Sequence, residues 1–319
     1  MRRREFVTLL GGALAVSPLR ASAQRGKVYT LGVLTLPNPD PLLKALREGQ
    51  RDAGYVEGDN LRLEVRSAAG RPDLQLDKAT ELVRLKVDLI VTFFTPSALA
   101  AKQATRDIPI VMAGAGDPVA TGLIASLARP GGNLTGQSSG GAEVAGKSLE
   151  LMRELFPAVR RVGVLADESD PFAKAYMAQI SQAAHNVGME AEPIIVRPGQ
   201  PLEPIFVTLT GKGLDGLLIQ GSIARKEMLD LAIKHRLPTL TSIRLGPPLG
   251  ALASYGSDYL ALARQSAVYI DKVLKGAKPA DLPVVFPTKF LLIINLKTAK
   301  TLGITVPATL LDRADEVIE

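Results

Sequence analysis

The sequence predicts an α/β protein of two doubly wound, parallel-sheet (Rossmann-like) lobes joined by a hinge that the chain crosses several times. Three observations predict it. From Val28 onward short apolar runs alternate with helical patterns, as parallel strands do when crossover helices cover both faces of their sheet. The same order of features restarts roughly 130 residues later. The segments past Ala251 are too few for a third domain, so they must complete the two sheets already begun, and the chain has to return between lobes to do so.

Val28 to Leu36 reads as a buried strand, followed by a helix from Pro41 to Ala53 that ends at Gly54. Leu61 to Val65 alternates as a strand, and Asp73 to Leu85 has helical spacing. Val87 to Phe94 is a strand buried on both sides, after which a helix is expected to start at Thr95-Pro96. Ile108 to Ala113 is the next strand, with a helix expected after Asp117-Pro118. In the second lobe Gly32-Val33-Leu34 recurs as Gly163-Val164-Leu165, Gly54 as Gly188, Asp88 as Asp215 and Pro109 as Pro238. Asp258 to Lys275 is a helix with one apolar face, Phe290 to Ile294 a strand, and Leu296 to Leu302 a short helix. Crossings are expected near Thr135–Gly140, Thr241–Leu249 and Pro283–Thr288, all rich in Gly or Pro. They divide the chain into lobe one, 28–137 plus 246–284, and lobe two, 138–245 plus 285–319.

Composition narrows the function. Cysteine and tryptophan are absent and aromatics make up 4%, so disulfides, thiolate metal sites and a lipid-anchoring cysteine are excluded, and stacking surface for single-stranded nucleic acid is scarce. Of the formal charge of +6, about +3 sits in the first 23 residues, and no basic stripe remains to neutralise phosphates. No nucleic-acid partner is expected.

Residues 1–23 read as a signal peptide: Arg2-Arg3-Arg4, an apolar run from Val7 to Val16, and Ala21-Ser22-Ala23 before Gln24. The apolar run is about half the length that spans a bilayer. Arg3-Arg4-Glu5-Phe6-Val7 also approaches a twin-arginine signal, and the general secretory route is equally compatible. The mature chain is therefore expected to be periplasmic, monomeric and without a membrane span.

Ligands of open parallel sheets bind beyond the carboxyl ends of the strands. The loops there are Pro37-Asn38, Thr95-Pro96-Ser97 and Gly114–Asp117 in lobe one, and Asp167–Asp170 and Gln220-Gly221-Ser222 in lobe two. Thr95-Pro96-Ser97 reads as a helix start, whose free N–H groups attract carboxylate or phosphate; plain capping explains it equally well. Asp117-Pro118 and Asp170-Pro171 share a cap-plus-proline pattern. Asp117 either caps its own helix or offers a carboxylate to an ammonium group. An anion-friendly helix end beside a carboxylate suits a zwitterion such as an amino acid.

Catalysis is not expected. Gly136-Gln137-Ser138-Ser139-Gly140 fits a nucleophile elbow by letter, but Pro130-Gly131-Gly132-Asn133 leaves hardly a strand before it. His185 and His235, the two histidines, sit near helix ends. Gly114-Ala115-Gly116 lacks the third glycine of a dinucleotide loop. No cofactor and no metal are expected.

Leu31-Gly32-Val33-Leu34, Gly54-Tyr55-Val56-Glu57-Gly58, Ile108-Pro109-Ile110-Val111, Asp117-Pro118-Val119, the run from Ser126 to Gly136, Gly276 to Pro283 and Asn295 to Lys300 carry a resemblance over nearly the whole mature chain. With them the chain resembles the ABC-transporter substrate-binding proteins related to the tryptophan/tyrosine-binding type. The resemblance implies a type I periplasmic-binding-protein fold that captures a small solute between its lobes. It also implies delivery to a membrane permease powered by a separate ATPase; the alternative is an exported sensor whose closed form is read by a membrane kinase or chemoreceptor. By position it implies ligand contacts at Asn38, Thr95, Ser97 and Asp117 in lobe one, Ser138, Asp167, Gln220 and Ser222 in lobe two, and Tyr255 near a crossing. Relatives often have Asn-Pro at Asp167-Glu168, and an aromatic with Gly-Gly around Leu245 to Gly250, so the resemblance does not carry aromatic specificity across.

Overall fold

A computed structural model describes residues 27–36 and 40–319. The expected signal segment and Asn38 lie outside the described residues. The first stretch runs β1 (Tyr29–Thr35), α1 (Asp40–Asp52), β2 (Leu61–Ser67), α2 (Gln75–Arg84), β3 (Leu89–Thr92), α3 (Phe94–Ala104), β4 (Ile110–Ala115) and β5 (Leu134–Ser138). These strands form a parallel sheet in the order β2-β1-β3-β4-β5. The central strands β3 and β4 are buried throughout, which is why their sequences are continuous apolar runs rather than alternations. Between Asp117 and Leu134 the chain forms turns, not the expected helix.

The second stretch runs α4 (Ala142–Leu155), β6 (Arg161–Asp167), α5 (Ala173–Asn186), β7 (Glu190–Val196), α6 (Glu203–Gly211), β8 (Gly216–Ile219), α7 (Lys226–Lys234), β9 (Thr239–Thr241), α8 (Gly246–Leu249) and β10 (Ala253–Ser257). The chain then returns to lobe one as α9 (Tyr259–Leu274), and closes with β11 (Phe290–Asn295), α10 (Leu296–Leu302), α11 (Ala308–Leu311) and β12 (Glu316–Ile318). The second sheet has the order β12-β11-β10-β9-β8-β6-β7 and is parallel except where β10 meets β11.

The chain passes between sheets at 139–141, at Asp258 and at 286–289. The second of these corrects the expected boundary at 246. The Gly-Pro-Pro stretch that looked like a crossing is α8, with prolines in its first turn, and it joins β9 to β10 inside lobe two. Residues 246–257 therefore belong to lobe two. Ala263, Ile270 and Val273 of α9 are core residues of lobe one, packed with Leu31, Val33 and Leu46. Each large aliphatic buried there contributes about 1.5–3 kcal/mol relative to exposure.

The internal repeat has a structural basis. Asp88 Oδ2 accepts from the Thr30 N–H at 2.8 Å, and Asp215 Oδ2 accepts from the Arg160 and Arg161 N–H groups at 2.7 and 2.9 Å. Pro109 O accepts from Ile90 N–H as Pro238 O does from Leu217 N–H. Gly54 and Gly188 both follow a helix with φ of +88° and +69°, the left-handed turn that glycine takes at no steric cost. Among the described residues no helix is long and apolar enough to cross a membrane.

Candidate ligand-binding site

The lobes face each other across a cavity of about 580 Å³ whose walls come from both, within the usual range for small-molecule sites. The lobe-one wall is built where β3 ends. Phe93 is the extended residue before α3, and Phe94 opens the helix with φ of +67°. A bulky side chain in that region is strained, at a cost of about 1–3 kcal/mol, and such strain clusters at ligand sites. Phe94 lines the cavity against Tyr259, their ring centroids 4.6 Å apart. Thr95 is not the cap that its sequence suggests: it lies within the first turn, and its Oγ1 accepts from the Gly116 N–H at 3.0 Å, tying α3 to the end of β4. The N-terminal end of α3 thus opens on the cavity with Phe94, Thr95 and Pro96. Tyr259 is half-buried, its phenol hydrogen-bonded to Ser139 and pushed up to about 12 by desolvation.

The lobe-two wall carries a carboxylate. Gln220, at the end of β8, accepts the Asp167 N–H on its amide oxygen at 2.9 Å. Its NH2 is thereby turned toward Asp170, donating to Oδ2 at 2.8 Å. Asp170 Oδ1 accepts from the Phe172 N–H at 2.9 Å. Burial pushes the Asp170 carboxyl up from 3.8 to about 6, against opposing hydrogen bonds from the Phe172 N–H and the Ser222 hydroxyl. A cation seated beside it would hold it ionised. The other charged side chains on the cavity are Asp258, which caps α9 by accepting from Leu260 and Ala261 N–H, and Arg244, paired with Glu316 at 2.7 Å.

The structure brings Thr95, Gln220 and Ser222 of the expected set to the cavity wall. Ser97 is buried inside α3 with no partner for its hydroxyl. Ser138 is buried, donating to Ala115 O at 3.2 Å and accepting from Gly140 N–H. Ser138 is the last residue of β5, whose Leu134 and Thr135 alone precede the elbow-like motif, and His235 is engaged with Thr210 and Glu203 instead. Asp167 Oδ1 accepts from the N–H and hydroxyl of Ser169. Tyr255 stacks on Phe290, centroids 5.7 Å apart. Asp117 spends its oxygens elsewhere: Oδ1 on the Ala120 N–H, Oδ2 on Gln179 Nε2 at 2.8 Å, across the cleft. Beside it, Gly116 lies so close to the Phe172 ring that a Cβ would sit 2.7 Å from it.

Asp170, Phe94, Phe172, Tyr176 and Tyr259 line the cavity although none is among the ligand contacts expected from the sequence. Asp170 had a signal, the same cap-plus-proline pattern as Asp117. The aromatics had a weaker one: in a chain with 6 Tyr and 8 Phe, each is scarce, and four of them meet here.

A family model described as ABC transporter substrate binding protein matches residues 30–318. The chain belongs to this family. Family members are binding proteins, and the two lobes have the type I periplasmic-binding-protein fold. A tyrosine-binding protein of Clostridioides difficile (strain R20291) is 29% identical over 318 residues, covering 92% of this chain and 90% of that one. The structure of an ABC domain from Streptococcus pneumoniae in complex with L-Trp is 28% identical, covers 92% of this chain and 100% of its own, and superposes with a TM-score of 0.86. The ligand-free, open structure of a substrate-binding protein with adhesive properties from Clostridium difficile is 25% identical, covers 91% and 99%, and gives 0.68. The better match to the ligand-bound relative agrees with the contacts that Asp117 and Gly116 make across the cleft.

Proposed function

We propose that this family member is the extracytoplasmic solute receptor of an ABC importer, closing its lobes on an amino acid with a large apolar side chain. The closed form is presented to a membrane permease driven by a separate ATPase. The observation that carries the ligand reading is Asp170, a buried carboxylate on the same cavity as the N-terminal end of α3. One end suits an ammonium group and the other a carboxylate. Phe94, Phe172, Tyr176 and Tyr259 supply apolar surface for the side chain. The relatives that bind tyrosine or carry L-Trp support the same class.

Calorimetry on the purified protein tests this with L-tryptophan, L-tyrosine, L-phenylalanine and L-leucine against tryptamine and indole-3-propionate, which each lack one charged end. Binding of an amino acid with loss of affinity for both truncated compounds is expected. Equal affinity for indole-3-propionate would overturn the role of Asp170. Export is proposed from residues 1–23: protein recovered from the host should begin near Gln24 by intact mass, and retention of Met1 in the cytosol would overturn it.

A further inference from the structure

The cavity does not stop at Asp170. It continues into lobe two between α4, α5 and the sheet, where Ala145, Ile180, Leu218 and Leu240 belong both to its wall and to the hydrophobic core. Two polar side chains interrupt this apolar end, Ser148 on α4 and Tyr176 on α5, only 7% and 8% exposed. The Ser148 hydroxyl donates to Val144 O at 2.7 Å, which leaves its oxygen able to accept. The Tyr176 hydroxyl has no hydrogen-bond partner among the described residues, and burial alone pushes its phenol above the ordinary range. Nor is it sealed in the core, as the hydroxyl of Ser97 is. Buried tyrosine hydroxyls ordinarily find a partner, because water has been taken from them.

We propose that Tyr176 is a specificity-determining residue whose hydroxyl bonds a polar group carried by the ligand's side chain, so the site prefers side chains bearing a hydroxyl over hydrocarbon ones of the same size. The orientation of the ligand, side chain inward, rests on the amino-acid reading above; the demand for a polar partner rests on the wall itself. A site built to bond a hydroxyl leaves its own group unpaired when the hydroxyl is missing, and so discriminates strongly.

The test uses two probe pairs that differ in one hydroxyl: L-tyrosine with L-phenylalanine, and 4-hydroxyphenylacetate with phenylacetate. Calorimetry is run on the wild type and on Tyr176→Phe, which keeps the ring. In the wild type the hydroxylated member should bind at least tenfold more tightly, and Tyr176→Phe should bring the ratio near one without lowering the melting temperature of the free protein. A wild-type ratio near one, as when a water serves Tyr176, overturns the proposal, and so does a ratio that survives in Tyr176→Phe. If only the acid pair binds and its ratio depends on Tyr176, the amino-acid reading fails and this inference stands. If no probe binds at millimolar concentration, both fall.

Discussion

Asp88 in lobe one and Asp215 in lobe two do the same work at the same place, holding the start of the neighbouring strand by its backbone N–H groups. At the carboxyl ends of those strands the lobes still share a backbone hydrogen bond: Phe93 N–H donates to Leu34 O, and Gln220 N–H to Leu165 O. There the chemistry parts. Lobe one follows Phe93 directly with the 11-residue helix α3, presenting a positive helix end and an aromatic ring. Lobe two follows Gln220 with a three-residue turn, Gly221–Ile223, and turns an amide onto a carboxylate. The amino ends of the strands serve the fold and stay alike, whereas the carboxyl ends face the ligand and differ.

The widest expected effect comes from removing lobe two's half of this division. Asp170→Asn keeps the shape and removes the charge, and should weaken amino-acid binding by roughly 2–5 kcal/mol by calorimetry. In the free protein the same change relieves a buried charge but sets the Asn NH2 against the Gln220 NH2, so the melting temperature at pH 7.5 should change far less than the affinity. The folded value of Asp170 lies above 3.8, so the ionised carboxylate opposes folding increasingly as pH rises from about 4 through 6. Unchanged affinity would return lobe two to a passive wall.

The pH profile sharpens the same point. Bound beside an ammonium, Asp170 must be ionised, so affinity should fall as pH drops below about 6. The fall is about tenfold per unit, reaching on the order of a hundredfold by pH 4. A flat titration from pH 7.5 to 4 would show that the carboxylate does not face the cation.

Gly116 tests whether the lobes must meet. Its backbone is ordinary, but an added Cβ lies 2.7 Å from the Phe172 ring across the cleft. Gly116→Ala should leave the free protein's melting temperature unchanged and weaken binding by about 1–3 kcal/mol, because only closure creates the clash. Scattering at saturating ligand should show incomplete compaction. An equal loss of stability in the free protein would mean that the lobes already touch without ligand.

The smallest effect belongs to Asp117. Asp117→Ala removes the hydrogen bond from Gln179 and should reduce affinity by about 0.5–1.5 kcal/mol. A loss as large as that of Asp170→Asn would put Asp117 back on the ligand.

Sequence reading reaches the two-lobed plan because that plan is written in local terms: apolar runs, helix-ending glycines, and aspartates before strands. It fails where tertiary placement decides. Asp117-Pro118 and Asp170-Pro171 are indistinguishable as letters, yet one is spent on a turn and a contact between lobes while the other is buried in the cavity. β10, with its sequence Ala-Ser-Tyr-Gly-Ser, has Tyr255 alone of the branched and aromatic residues that mark strands. It exists because β9 and β11 flank it. Missing it moved a crossing by some ten residues.

The placement of α9 also governs how the molecule is born. Ala263, Ile270 and Val273 sit in the core of lobe one, yet they are synthesised after ten of the twelve strands among the described residues. Lobe two in turn waits for β11 and β12. A ribosome that has released everything up to Asp258 has therefore delivered two unfinished halves, each with apolar surface uncovered. On this connectivity neither lobe can complete its sheet and core before the segments after Asp258 are made, because α9 completes the one and β11 and β12 the other.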